Sequence, residues 1–273
     1  MAPRVDVRKT YKLYVGGEFV RSESGRAYRP DGTTNVPRSS RKDLRDAIRL
    51  ARGAFPGWAG RTAMNRGQVL YRAAEMLDGR RAQFVELLGG GRRARREVED
   101  CVEVLVWYAG WTDKVAQVTG TVNPVAGPYF NFTIPEPTGV VGVVAPDRPA
   151  LAGLVRRLAP ALCGGNTVVA LASEQAPIPA LAFGEVLATS DLPGGVANVL
   201  SGLRSELLPW LASHMDVNAV DCAGCTDEEL AEVERRAAAN VKRVIRLSGR
   251  DELSPDAVTA FMEMKTVWHP IGV

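Results

Sequence analysis

The chain has 273 residues, 46% hydrophobic and 24% charged, with a formal net charge of +3. That is enough chain for one large domain or two small ones around a sizeable core, in the composition range of ordinary globular proteins. The small charge implies no nucleic-acid partner, and no apolar run approaches the roughly 20 residues of a membrane span. The opening "MAPRVDVRKTYKLYV" lacks the pattern of a secretory signal. Four cysteines at uneven spacings make no disulfide framework in a chain this long, so a reducing cytoplasm is the expected compartment.

In chain order, "YKLYVGGEFV" predicts a short hairpin turning at Gly16 and Gly17. Residues 41–55 place Leu44, Ala47, Ile48, Ala51 and Phe55 on one helical face. Residues 65–77 repeat the spacing with Val69, Leu70, Ala73, Ala74 and Leu77. "GGGRRARR", residues 89–96, reads as a flexible break with a basic cluster, either a solvated loop or a contact for a phosphate-bearing partner. A long helix follows, with Val98, Cys101, Val102 and Leu105 on its apolar side. "TVNPVAGPYFNFTIPEPTG" has prolines at both ends and alternating aromatics between them, which predicts an extended hairpin or edge strand.

Beyond it, strands over 139–145, 167–171, 196–200, 217–222 and 242–247 alternate with helices. The helices cover 150–163, 177–189, a short stretch near 205–213, and 227–239. Short apolar strands separated by helices imply a parallel sheet covered on both faces, with ligands beyond the C-terminal strand ends. The expected fold class is therefore α/β: a Rossmann-like doubly wound parallel sheet with an N-terminal helical layer and a protruding β-hairpin. The expected main unit is 1–250, made of a helical layer (1–120), a bridging hairpin (121–137) and the sheet core (138–250). The tail, 251–273, carries Phe261, Met262, Val267 and Trp268, which are unexpected in a free polar terminus.

"EPTGVVGVVAP", "LAPALCGGNTVVALASEQAPIPALAFGEVLATSDLPGGVANVLSG" and "VKRVIRLSG" resemble the cofactor-binding half of the aldehyde dehydrogenase superfamily. The likeness runs from about Tyr14 to Gly249. "YAGWTDKVAQVTGTVNPVAGPYFNF" and "MKTVWHPIG" look most like the family-16 branch, whose members carry a second, degenerate unit.

The family's chemistry uses a cysteine nucleophile, an asparagine that holds the oxyanion and a glutamate that activates water. The asparagine belongs to a P-W-N-[FYW]-P segment; here "APDRPAL" is one residue shorter, with Asp147 and Arg148 between its prolines. The glutamate opens E-L-G-G; here "LSGR" puts Leu247 in its place and Arg250 at the second glycine. The cysteine belongs to a separate catalytic domain, and none of Cys101, Cys163, Cys222 and Cys225 falls where it should. The resemblance thus implies no catalytic residue here.

For the cofactor, the resemblance points to K-P-[AS]-E at the ribose, where Leu171 replaces the lysine while Ser173 and Glu174 remain. Pro193, Gly194 and Val196 resemble the wall of the adenine pocket. The phosphate turn G-S-T-x-x-G corresponds to "GCTDEE", keeping Gly224 and Thr226 but with Glu229 at the second glycine. Thr226 and Glu229 have capping-box spacing, and Asp227, Glu228 and Glu229 suit the helix dipole while opposing a dianion. The expectation is no cofactor, or weak NAD(P).

"CAGC" is C-x-x-C entering a helix, a redox pair or two small strand-end residues. A zinc site would need two more ligands, of which only His214 is near, so no metal is expected. His269 is most simply a surface or packing residue. Two function classes stand: a non-catalytic subunit or scaffold for an active aldehyde dehydrogenase, or an oxidoreductase or sensor that still uses a dinucleotide. The first is preferred. It implies a homodimer, or a heteromer with a full-length aldehyde dehydrogenase, built on residues 129–134 and the tail.

Overall fold

The computed structural model of the chain describes residues 9–247 and 253–272. The opening hairpin is β1 (Leu13–Val15) and β2 (Glu18–Val20), turning through Gly16 and Gly17 at positive φ. A ribbon of β3 (Ala27–Tyr28) and β4 (Val36–Pro37) leads to α1 (Arg41–Ala59). Next come α2 (Ala63–Gly79), α3 (Arg81–Leu87), α4 (Gly91–Trp111) and α5 (Val115–Thr119). The proline-flanked hairpin is β5 (Thr121–Asn123) with β6 (Tyr129–Pro137).

The alternating core runs β7 (Val140–Val144), α6 (Ala150–Cys163), β8 (Thr167–Leu171), α7 (Ile178–Ala188) and β9 (Ala197–Leu200). It continues with α8 (Arg204–Ser213), β10 (Ala219–Asp221), α9 (Asp227–Ala237) and β11 (Arg243–Ile245). The tail forms α10 (Pro255–Thr259) and β12 (Met262–Pro270).

Seven strands make the main sheet in the order β11-β10-β7-β8-β9-β1-β2. The five core strands are parallel, and β7, β8 and β9 are buried throughout, which is why they read as continuous apolar runs. The sheet is not purely parallel: β1 pairs antiparallel to β9, and β2 to β1. Leu13, Tyr14 and Val15 are all buried, so the hairpin protects what would otherwise be an open edge. Strand order reverses between β7 and β10, and that gap is the topological switch point.

Helix α1 packs on β8, β7, β9 and α8, while α6 and α7 carry a further layer of α2 and α4. Ser40 and Asp43 form a capping box that starts α1. The expected basic break is shorter than the sequence suggests. Gly89, Gly90 and Gly91 take positive φ, but Arg92, Arg93, Arg95 and Arg96 already belong to α4, as good helix formers. In α4 the buried stripe is Ala94, Val98, Cys101, Val104, Leu105 and Tyr108, with Val102 only partly buried.

The apolar residues of the tail are built into the fold at the N-terminal ends of the core strands. Asn166 Nδ2 donates to Phe261 O at 3.0 Å, and Thr138 N donates to the same oxygen at 3.1 Å. Both residues stand at the N-terminal ends of core strands. Phe261 is fully buried there, and β12 runs antiparallel along the whole of β6, giving a three-stranded sheet β12-β6-β5.

Candidate functional site

The loops leaving β7, β8 and β10 converge at the switch point, where a parallel α/β sheet places its ligands. Asp147 follows β7, Ser173 and Glu174 follow β8, and Gly224 and Thr226 lead from β10 into α9. Arg204, the first residue of α8, reaches into the same crevice and keeps only 10% of its side-chain exposure.

Asp147 is the hub. Its Oδ1 accepts from Ser173 Oγ at 2.9 Å, Glu174 N at 3.0 Å and Gln175 N at 3.4 Å. Arg204 Nη2 stands 2.6 Å from the same oxygen. Arg204 Nη1 donates to Gly224 O at 2.6 Å and lies 3.7 Å from Glu229 Oε2. Glu174 Oε2 accepts from Arg204 N at 2.7 Å, and Glu174 O accepts from the Tyr28 hydroxyl at 3.2 Å. Burial works against ionisation of Asp147, but the Ser173 hydroxyl and the Arg204 guanidinium hold its carboxyl below the ordinary value. Burial, then the Glu174 charge, push the Tyr28 phenol up.

Ser173 and Glu174 therefore sit in the crevice but are engaged within the chain. Ser173 Oγ also accepts from Ala176 N at 2.8 Å, turning β8 toward α7. The expected capping box is present: Glu229 Oε2 accepts from Thr226 N at 2.9 Å, and Thr226 Oγ1 accepts from Glu229 N at 3.2 Å. Asp227 pairs with Arg246 at 2.7 Å. Gly224 is required by packing, since a Cβ there would meet Ala145 O at 2.3 Å.

Pro193, Gly194 and Val196 are not part of this crevice. They precede β9, at the opposite end of the strands from the loops after β8 and β10, because parallel strands put all their N-terminal ends on one side and all their C-terminal ends on the other. A Cβ on Gly194 would meet Gly16 O at 2.4 Å, so this turn supports the β1–β2 hairpin. The single adenosine slot expected from Ser173 to Val196 is split across the sheet. Leu171 is buried at its strand end, and Leu247 packs partly buried against the core. Arg250 lies outside the described residues.

The four cysteines are free and buried. The hydrogen bond to Cys225, reinforced by burial, pushes the Cys222 thiol up, and burial pushes Cys163 up to about 12. A reactive cysteine needs the opposite shift. Among the described residues, no group of three or more His, Cys, Asp or Glu is placed to hold a metal ion, and no helix is long and apolar enough to cross a membrane.

The sequence reading missed Arg204. No local pattern marks it, because its partners Asp147, Gly224 and Glu229 stand far from it in the chain.

Over residues 24–254 the chain matches the aldehyde dehydrogenase family. It is 32% identical to retinal dehydrogenase 2 of Mus musculus, an alignment covering 94% of this chain and 52% of that protein. It is also 32% identical to omega-crystallin of Enteroctopus dofleini, over 89% of this chain and 51% of the relative. The NAD+ complex of an aldehyde dehydrogenase from Bacillus cereus superposes with a TM-score of 0.79 at 26% identity, over 86% of this chain and 50% of that one. The chain thus spans about half the length of the relatives it matches. A family match over residues 24–254, together with the fold shared with that structure, leads to one conclusion: this chain belongs to the aldehyde dehydrogenase family.

Proposed function

We propose that this chain is a non-catalytic member of the family, a degenerate unit of the family-16 kind that works by associating with another aldehyde dehydrogenase subunit. The observation that carries the reading is the exposed apolar face of the sheet β12-β6-β5. Register aligns Val122, Phe132 and Val267, with Phe130 and Ile134 on the same face. Val122, Phe130, Ile134 and Val267 all remain exposed, and the Phe130 and Phe132 rings lie 5.3 Å apart. A contiguous apolar patch of this kind marks an association surface. Along the outer edge of β12, no further strand pairs among the described residues.

Changes at two family motifs support the non-catalytic part: Leu247 cannot take a proton from water, and Asp147 and Arg148 supply no neutral oxyanion donor. Purified protein with NAD or NADP and a panel of aldehydes is expected to form no reduced cofactor above a buffer control. Turnover that survives further purification would overturn the reading. Light scattering is expected to give a homodimer, or a heteromer when a full-length aldehyde dehydrogenase is added. Replacing Phe130 and Phe132 with serine is expected to weaken either association. A monomer in both samples, unaffected by those substitutions, rejects it.

The second reading, a dinucleotide-using oxidoreductase or sensor, draws on the NAD+ complex of the Bacillus cereus relative and on Ser173 and Glu174 at the crevice. Titration calorimetry separates the two. The preferred reading expects an NAD dissociation constant no tighter than about a millimolar, roughly 4 kcal/mol of binding.

A further inference from the structure

We propose that Arg204 is a built-in plug: its side chain takes the space and the charge partners of the crevice, and so excludes a dinucleotide. The inference rests on reading this crevice as a former nucleotide site, as the proposed function does. It adds the residue that closes it.

Three observations carry it. The first is position. The guanidinium lies where the loops after β7, β8 and β10 meet, within reach of Asp147 Oδ1 at 2.6 Å, Gly224 O at 2.6 Å and Glu229 Oε2 at 3.7 Å. A ligand crossing from the β8 loop to the start of α9 would have to pass through it. The second is burial. A side chain with only 10% exposure at the mouth of a ligand crevice fills the cleft itself. The third is incomplete satisfaction. Arg204 Nε is buried without a hydrogen-bond partner. A guanidinium placed for stability alone would be expected to satisfy this donor.

The same geometry makes the plug removable. Without Arg204, Asp147 Oδ1 still receives the Ser173 hydroxyl and the Glu174 and Gln175 amides, so the loop after β8 keeps its anchors. Glu174 Oε2 is held by the main-chain N–H of residue 204, which any non-proline replacement retains. The start of α9 keeps its capping box.

The test is calorimetric titration of NAD into four full-length proteins: wild type, Arg204→Ala, Leu171→Lys and the double variant, each checked for cooperative thermal unfolding. The expected result is at least a tenfold tightening in Arg204→Ala, little change in Leu171→Lys alone, and a further gain in the double variant. If Leu171→Lys alone gives the whole gain and Arg204→Ala adds none, the plug is rejected while the nucleotide ancestry of the crevice stands. If no folded variant gains affinity, both are rejected. Should Arg204→Ala fail to fold, Arg204→Gln keeps part of the stem and a polar end while shortening the side chain and removing the charge, and a tightening below tenfold there counts against the plug. Light scattering on the same proteins reads the association function independently. An unchanged oligomer with altered NAD affinity places the effect in the crevice alone.

Discussion

Cys101, Cys163 and Cys222 are neutral thiols sealed in the core, and each is pushed above the ordinary thiol value, Cys101 and Cys163 mainly by burial and Cys222 by its bond to Cys225 and then burial. Above about pH 9 the unfolded chain ionises its thiols while the folded one does not, so the unfolded state binds fewer protons and stability falls as pH rises. Lys242 acts oppositely: burial lowers it to about 8, so it adds stability as pH rises from about 8 to the ordinary lysine value of 10.5. Urea unfolding at pH 8, 9 and 10 is expected to show a decline above pH 9. Cys163→Ala should flatten it by about 1.4 kcal/mol per pH unit. An unchanged slope in that variant would show that the thiol is not shielded. Gly224 offers a second test at this scale. Gly224→Ala drives a methyl to 2.3 Å from Ala145 O and is expected to destabilise by about 1–3 kcal/mol, with no ligand involved.

At the scale of elements, the acidic start of α9 serves the helix. Thr226 and Glu229 satisfy each other's backbone amides, and Asp227 and Glu228 lie at the positive end of the dipole. Thr226→Ala is expected to lower stability by about 1 kcal/mol, measured by thermal or urea unfolding. The capping box was legible in the sequence because a cap is a local pattern of four residues. Arg204 was not, because its partners come from two distant segments, Asp147 after β7 and Gly224 with Glu229 at the entry to α9. Nor was the position of Pro193, Gly194 and Val196. A likeness of motif says which residues recur, while strand direction decides which end of the strands they occupy.

For the whole molecule, the tail is part of the architecture. Phe261 is fully buried, and its carbonyl is held by Asn166 and Thr138, so the three-stranded sheet is tied to the N-terminal ends of the core strands. Phe261→Ala is expected to destabilise the protein by about 3–5 kcal/mol and to loosen β12 from β6. Hydrogen exchange at the β12 amides reads this directly: faster exchange there with the β8 amides still protected supports the coupling, and uniform exchange counts against it. The crevice thus lies at the C-terminal strand ends and the apolar sheet is fastened to the N-terminal ends.

The sequence by itself determined the helices with a clear 3.6-residue period, the buried parallel strands and the hairpin between prolines. In each of these, neighbouring residues carry the information: periodicity, strand-length apolar runs and turn residues act over a few positions. The resemblance also implies changed family positions at Leu171, Leu247 and Glu229, because each is read one at a time. Only the tertiary structure decided where the tail goes, that β1 and β2 protect the β9 side of the core sheet, and that Arg204 meets Asp147, Gly224 and Glu229. Those outcomes depend on contacts between residues far apart in the chain, such as Arg204 with Asp147 and β12 with β6. No local pattern encodes such contacts, because each partner has an ordinary sequence neighbourhood and acquires its role only when the strands bring the two together.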